Sequence, residues 1–374
     1  MDLKLTEEQR LIKDTAAQFV DRELIAREGA YLRQAQPFLP PGDPARRDLD
    51  PAIRAELLQR ARQAGLWMLE LPERLGGSAP GAVARVLVHR EFGRSVLPFR
   101  PLSIPGFMFE SAYGPRLADG TITMALAFDE AHKTGELSQL KMLYRQEPDG
   151  CILRDFSISV GNGRADLYLL PAREQGTQRL GLFAVERDTP GLVTSDEVDL
   201  TIDATVARLS LRQCKVPIEQ LVGYEYEAGA VVAAEQLNIA ARCLGIAMRC
   251  LASSIEHARN RVTFGRRLAE RQAIQWMLAD LSIALRTSTW LTLETAWRAD
   301  QELPYFEEAG LAKKRAASVA FQAADAAIQI HGGYGVTKEF PFEAFYRETR
   351  LLRLLFGREE ELDRARGERF LTSA

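Results

Sequence analysis

Gln329-Ile330-His331-Gly332-Gly333-Tyr334-Gly335 is the stretch on which the reading of this chain turns. It ends an alanine-rich, helix-periodic run from about Tyr305 to Ile330. Its glycine pair stops that helix, and a further helix opens near Phe342. Working back, Leu237, Ala241, Leu244, Met248, Leu251 and Ile255 recur at spacings of four and three, which predicts a core-facing helical stripe. Ile274, Met277, Leu281 and Leu285 mark another helix from near Ala269. Four helices on short links predict a C-terminal four-helix bundle over residues 225–374.

Further upstream the character changes. Residues 121–224 carry short β-branched runs at Ile122 to Phe128, Leu167 to Pro171, Leu180 to Val185 and Ala207 to Leu211. Asp149-Gly150 and Asn162-Gly163 are expected to be hairpin turns, so a middle antiparallel β domain is predicted. Residues 1–120 read as an N-terminal helical domain. Thr6 and Gln9 have capping-box spacing, Gln36–Asp50 reads as a loop, and helices are expected from Pro51 to Gly65 and from Gly81 to Arg94. The fold class is α+β.

Composition bounds the function. Hydrophobic residues make up 46% of the 374, enough for a sizeable core, which excludes a disordered chain. The net charge of −3 provides no field for nucleic acid or an anionic membrane. No apolar run is expected to approach the roughly 20 residues of a membrane span. The opening MDLKLTEEQR has no apolar signal core, so a cytoplasmic location is expected. Cys151, Cys214, Cys243 and Cys250 form no CxxC pair, and the four histidines form no HxxxH spacing. Buried thiols, no zinc and no metal catalysis are therefore expected.

Two further motifs matter. Arg261-Val262-Thr263-Phe264-Gly265 closes the first bundle helix, and Gln272 follows seven residues after the glycine. Taken alone, Arg261 fits a surface arginine in a last helical turn, and Gly332-Gly333 fits a plain helix C-cap. The chain also has the LTEEQR opening, Leu71-Pro72-Glu73 with Gly76-Gly77, Ala165-Asp166, Val216-Pro217 through Leu221-Val222-Gly223, and Tyr346-Arg347-Glu348. In this order and at these separations, the set closely resembles the acyl-CoA dehydrogenase family over nearly the full length. The resemblance implies FAD held between two subunits and α,β-desaturation of an acyl-CoA thioester. It implies electron-transfer flavoprotein as acceptor, and a dimer or tetramer. Residue by residue, it implies that Arg261, Phe264, Gln272, Gln329, Gly332 and Gly333 serve a neighbour's FAD. An arginine there supplies a permanent charge and a fork of donors, and glycines let backbone N–H groups approach phosphate.

The chain departs from that pattern at the proton-abstracting base. The family's usual glutamate position is occupied by Phe356, which accepts no proton. Some members carry the base on the first bundle helix instead, where Ala234-Glu235-Gln236-Leu237 offers Glu235. A carboxylate near a helix N-terminus is also welcome there for dipole reasons. Glu359, Glu360 and Glu361 read as a solvated face. The ring-side segments are altered too, with Phe128-Asp129-Glu130-Ala131-His132 and Leu153-Arg154-Asp155-Phe156 in place of family motifs. The ending Leu355-Phe356-Gly357 is similar to that of small subunits of heteromeric acyl-CoA dehydrogenases, such as the pimeloyl-CoA dehydrogenase small subunit. That likeness implies an alternative: a base-deficient chain paired with an unlike homologous subunit, supplying part of its partner's FAD site. A further alternative is a diverged family member with no dehydrogenase activity.

Overall fold

A computed structural model describes residues 4–34, 49–128, 137, 140–200 and 205–372. Helix α1 (Glu7–Phe19) starts with a reciprocal capping box. The Gln9 N–H donates to Thr6 Oγ1 at 3.1 Å, and the Thr6 N–H donates to Gln9 Oε1 at 3.0 Å. It runs through a π-helical turn at Val20–Ile25 into α2 (Ala26–Gln34). The loop expected over Gln36–Asp50 lies outside the described residues except for its last two. Asp50 caps α3 (Pro51–Gln63), and Pro51 sits where a missing N–H costs nothing. Helix α4 (Gly81–Phe92) is buried along most of its length, and α5 (Gly114–Asp119) follows.

Strands occupy the middle of the chain. β1 (Met124–Leu126), β2 (Leu143–Glu147), β3 (Gly150–Leu153), β4 (Phe156–Val160), β5 (Leu167–Glu174) and β6 (Leu180–Glu186) come first. β7 (Leu192–Thr194), β8 (Val198–Asp199), β9 (Thr205–Leu211), β10 (Cys214–Val216) and β11 (Leu221–Tyr224) follow. One sheet has the order β10-β3-β2-β5-β6-β11 with β1 beside β5; the smaller has β4-β9-β7 with β8 beside β9. The large sheet is mixed rather than purely antiparallel, because β1 and β2 both run parallel to β5. Strand β5 is buried on both faces, which explains its unbroken apolar run. Tyr168 and Leu170 join the core shared with Ile158 and Leu209 of the smaller sheet, whereas Leu167 and Leu169 join the helical core.

Asp149-Gly150 does lie in the β2–β3 hairpin turn. Asn162-Gly163 does not make a hairpin, because β4 pairs with β9 and the next strand, β5, belongs to the other sheet. Gly163 serves close packing instead: a Cβ there would lie 2.4 Å from the Ala207 Cβ of β9.

From Glu225 the chain is helical. Helix α6 (Glu225–Asn260) is the central rod, with α7 (Gln272–Asp300) and α8 (Phe306–His331) packed along it. The expected fourth long helix is two short ones, α9 (Phe342–Leu352) and α10 (Glu359–Thr372). Left-handed backbone at Phe356 (φ 49°) and Gly357 (φ 106°) breaks it, since helix cannot propagate through that conformation. Helix α4 meets α6 at two glycines. A Cβ on Gly245 would lie 2.0 Å from the Arg90 carbonyl oxygen, and one on Gly93 would lie 2.4 Å from that of Arg242.

One expectation needs correcting. By length and composition α6 is apolar enough to cross a membrane, but most of its apolar stretch is buried inside the protein as a core helix. All four cysteines are buried.

Candidate active site

The last turn of α6 and the last turn of α8 end side by side. Arg261 closes α6, and the chain reverses through a two-stranded ribbon, β12 (Val262–Thr263) with β13 (Arg266–Arg267). Both turn residues, Phe264 (φ 51°) and Gly265 (φ 74°), are left-handed, as a tight two-residue hairpin requires. The ribbon presents the Phe264 ring outward, 98% exposed. Helix α8 ends at His331, and Gly332 (φ 61°, ψ −138°) starts a short 3₁₀ turn over Gly332–Val336.

Between them lies a cleft of about 520 Å³, lined among others by Arg261, Thr263, Leu268, Gly332, Gly333 and Tyr334. Two motifs far apart in sequence therefore share one wall. Arg261 is exposed, and among the described residues no carboxylate pairs with it. A Cβ added at Gly332 or Gly333 would meet nothing within 4 Å, so the backbone there faces open space. A free guanidinium beside unobstructed backbone suits a phosphate-bearing ligand. Of the other residues picked from sequence, Gln272, Gln329 and Phe264 are exposed around the cleft and stand outside its lining.

Sequence reasoning missed two residues of this wall. The His257 and His331 rings meet with centroids 4.3 Å apart and planes tilted by 30°, and His331 Nδ1 lies 2.7 Å from the Ala327 carbonyl oxygen. Burial lowers both pKa values; the Arg261 charge adds to the effect at His257 and the neighbouring ring adds to it at His331. The available signal was spacing, since His257 stands one turn before Arg261 on α6.

The loop of one candidate base position, Phe356, meets α6 at Gln236, the residue after the other candidate, Glu235. Phe356 is buried in the helical core, and its carbonyl oxygen accepts from Gln236 Nε2 at 2.8 Å. Lys313, fully buried on α8, donates to the carbonyl oxygens of Gly357 at 2.6 Å and Arg353 at 2.9 Å. The loop carrying Phe356 is thus tied to both α6 and α8. Beside Gln236 a cleft of about 350 Å³ opens between α6, α8 and α10, lined by Val232, Gly310, Leu362 and Arg366 among others. The acidic run after Gly357 is consumed by ion pairs, with Glu359 on Arg353 and Glu361 on Arg358 and Arg364.

Glu235, next to Gln236, points toward the N-terminal layer. Its Oε1 accepts from Ser103 Oγ at 2.8 Å and from Asn238 Nδ2 at 3.1 Å. Ser103 Oγ also lies 3.4 Å from Glu70 Oε1, and Glu70 pairs with Arg85 at 3.5 Å. Desolvation raises the Glu235 pKa, opposed by the hydrogen bonds from Ser103 and Asn238 and by the Arg85 charge. By accessible surface the whole residue is half-buried. A carboxylate whose proton affinity is raised by burial is suited to accept a proton. The altered segment Asp129-Glu130-Ala131-His132 lies outside the described residues. Arg154 and Asp155 form the turn between β3 and β4, with Asp155 Oδ1 accepting from the Gln213 N–H at 3.0 Å.

Comparison with known proteins accounts for these features. Residues 6–114 match the model of the acyl-CoA dehydrogenase N-terminal domain, and residues 223–370 match that of the acyl-CoA dehydrogenase C-terminal domain. The chain belongs to the acyl-CoA dehydrogenase family. It is 29% identical to an acyl-CoA dehydrogenase of Bacillus subtilis over 85% of this chain and 92% of that one. It is 27% identical to the acryloyl-CoA reductase (NADH) of Anaerotignum propionicum over 96% and 93%. The fold matches the ChsE4–ChsE5 complex of Mycobacterium tuberculosis with a TM-score of 0.81 at 22% identity, covering 100% of this chain and 99% of that one. As an acyl-CoA dehydrogenase family member the chain is an oxidoreductase of that type, and the α+β architecture is the family's own.

Proposed function

We propose that this acyl-CoA dehydrogenase family member desaturates an acyl-CoA thioester at its α and β carbons, with Glu235 as the proton acceptor. One observation carries the reading. Glu235 is a carboxylate of raised proton affinity on α6, and its neighbour Gln236 holds the backbone of Phe356. The loop that lacks a base is thus tied to the same turn of α6 that carries Glu235, whose carboxyl is held by Ser103 and Asn238.

Bound FAD would supply the hydride acceptor. Arg261 would grip its pyrophosphate through forked, charge-assisted bonds, with the Gly332 and Gly333 backbone beside the phosphates. Gln272, Gln329 and Phe264 would add further contacts to the same ligand. Ser103 and Asn238 both donate to Glu235, which orients the carboxylate and favours its ionised form before the proton arrives. The cleft beside Gln236 has apolar wall from Val232 and Leu362, with Arg366 and Arg369 at its edge paired to Glu307, and Glu235 stands outside its lining. Electron-transfer flavoprotein is the acceptor this chemistry calls for.

Arg261 faces outward, which fits a site completed by a second chain. Trp276 (60% exposed), Ile283 (62%) and Trp290 (40%) lie seven residues apart on α7, a single apolar stripe that no element among the described residues covers. We assign that face to subunit contact. A second reading keeps this contact but makes the partner an unlike homologous chain, to which this one lends Arg261 while its own base position stays mute. It is favoured by two separate facts, that the usual base position holds Phe356 and that the cleft at Arg261 is intact. Glu235→Gln decides between them. Loss of activity by about a hundred- to ten-thousand-fold, with flavin still bound, supports Glu235 as the base. Unchanged activity in the assembled enzyme moves the chemistry to a partner.

A further inference from the structure

Ser103 has one hydroxyl hydrogen and three polar neighbours. Asn238 Nδ2 donates to its oxygen at 3.1 Å, and its own hydrogen goes to Glu235 Oε1 at 2.8 Å. Nothing is then left for Glu70 Oε1, which sits 3.4 Å from the same oxygen. If Glu70 is protonated, it donates to Ser103 Oγ and the contact is satisfied. If Glu70 is ionised, the serine hydrogen must turn to it, and Glu235 must then carry the proton. Either arrangement needs one proton among the two carboxyls.

The surroundings agree. The Glu70 side chain is 8% exposed and has a single cation beside it, Arg85, itself 17% exposed. One positive charge cannot neutralise two buried carboxylates. Arg85 Nε and Asn238 Oδ1 are both buried without a partner, and Asn238 is only 6% exposed. The other titratable groups facing Arg85 are His89, one turn along α4, and Tyr305, at the head of α8. Burial holds His89 neutral, at about 3, and holds the Tyr305 hydroxyl protonated, so neither adds charge at neutral pH.

We propose that Glu70, Ser103 and Glu235 hold one proton between the two carboxyl groups through the serine hydroxyl, making Glu70 the positioning residue of the reacting carboxylate. The exchange is balanced. The Glu70 O–H passes its hydrogen to Ser103 Oγ as the Ser103 hydrogen passes to Glu235, and reversal restores the first state. Its catalytic consequence rests on Glu235 being the base, whereas proton sharing itself does not.

Infrared spectra of the purified protein test this without turnover. At neutral pH the wild type should show a carboxylic C=O band in difference spectra against Glu70→Gln and also against Glu235→Gln, because removing either carboxyl lets the other ionise. A band that disappears in only one variant would mean an isolated buried acid and overturns the proposal. A band retained in both, or absent from the wild type, overturns it too. If a variant fails to fold, Ser103→Ala provides the second measurement: it cuts the bridge while leaving both carboxyls, and should shift the band in D₂O-sensitive fashion. No change there refutes the bridge. In an active enzyme Glu70→Gln should also move the acid limb of kcat/KM to lower pH, because the like charge beside Glu235 is gone. An unmoved limb with a confirmed band separates failure of the catalytic reading from failure of proton sharing.

Discussion

Replacing Lys313 with methionine should alter how stability depends on pH. Lys313 has no exposed surface, and its Nζ holds the loop around Phe356 through the Gly357 and Arg353 carbonyls. Burial pulls its pKa from 10.5 down to about 8. Between those two values the unfolded chain binds a proton that the folded chain does not, so the free energy of unfolding rises with pH across that window. Below about pH 8 both states are protonated and the group contributes no slope. At about 1.4 kcal/mol for each pH step between the two values, the rise is on the order of 3 kcal/mol. Methionine abolishes it and leaves two buried carbonyls unpaired. The assay is urea unfolding of wild type and Lys313→Met at matched protein concentration, near pH 8 and near pH 10, reading midpoint and slope separately. Tyrosine and cysteine titrations are common to both proteins and cancel in the difference. The wild type should gain on the variant as pH rises. Parallel pH curves would show that Lys313 is charged throughout, and the account of its burial would be wrong.

Two further outcomes can be checked at once. Arg261→Gln should weaken FAD binding about 10- to 150-fold, the value of a charge-assisted bond of about 1.5–3 kcal/mol, read by flavin fluorescence titration; unchanged affinity would remove Arg261 from the site. Gly245→Ala would put a Cβ 2.0 Å from the Arg90 carbonyl oxygen, so α4 and α6 must part, at about 1–3 kcal/mol in chemical denaturation. A neutral result would mean the two helices do not meet there.

Much of the fold was legible because local chemistry decided it. Thr6 and Gln9 carry their capping box whatever the rest of the chain does. The β5 and β6 runs were readable because both strands are buried on two faces. What misled was tertiary placement. Asn162-Gly163 has hairpin chemistry, but Gly163 is there for closeness to Ala207, a residue far off in sequence. On α6 the stripe from Leu237 to Ile255 suggested a one-sided helix. Its centre, Gln236 to Ala247, is buried almost all round, because alanine, glycine and cysteine between the large residues let α4 and α8 approach. On α7 the pattern showed Met277 and Leu281 but gave no reason to expect Trp276, Ile283 and Trp290 on an open face. Of the candidate site, the Arg261 and Gly332-Gly333 motifs were visible, and Glu235 was visible as a candidate. Glu70, Ser103 and Arg85 were not, because nothing in their spacing announces that they converge.

Helix α6 sets one more condition. Glu235 and Arg261 stand 26 residues apart on or just beyond the same unbroken rod. At a rise of about 1.5 Å per residue that is about 39 Å, longer than an extended dinucleotide. On the proposed assignment, one chain's Glu235 and Arg261 would therefore act on different cofactor molecules. Every chain would then belong to two sites and complete neither, and the stoichiometry of working centres would be a property of the assembly. A chain spoiled at Glu235 and another spoiled at Arg261 would complement each other: of the two centres in such a mixed pair, one receives both defects and the other receives none.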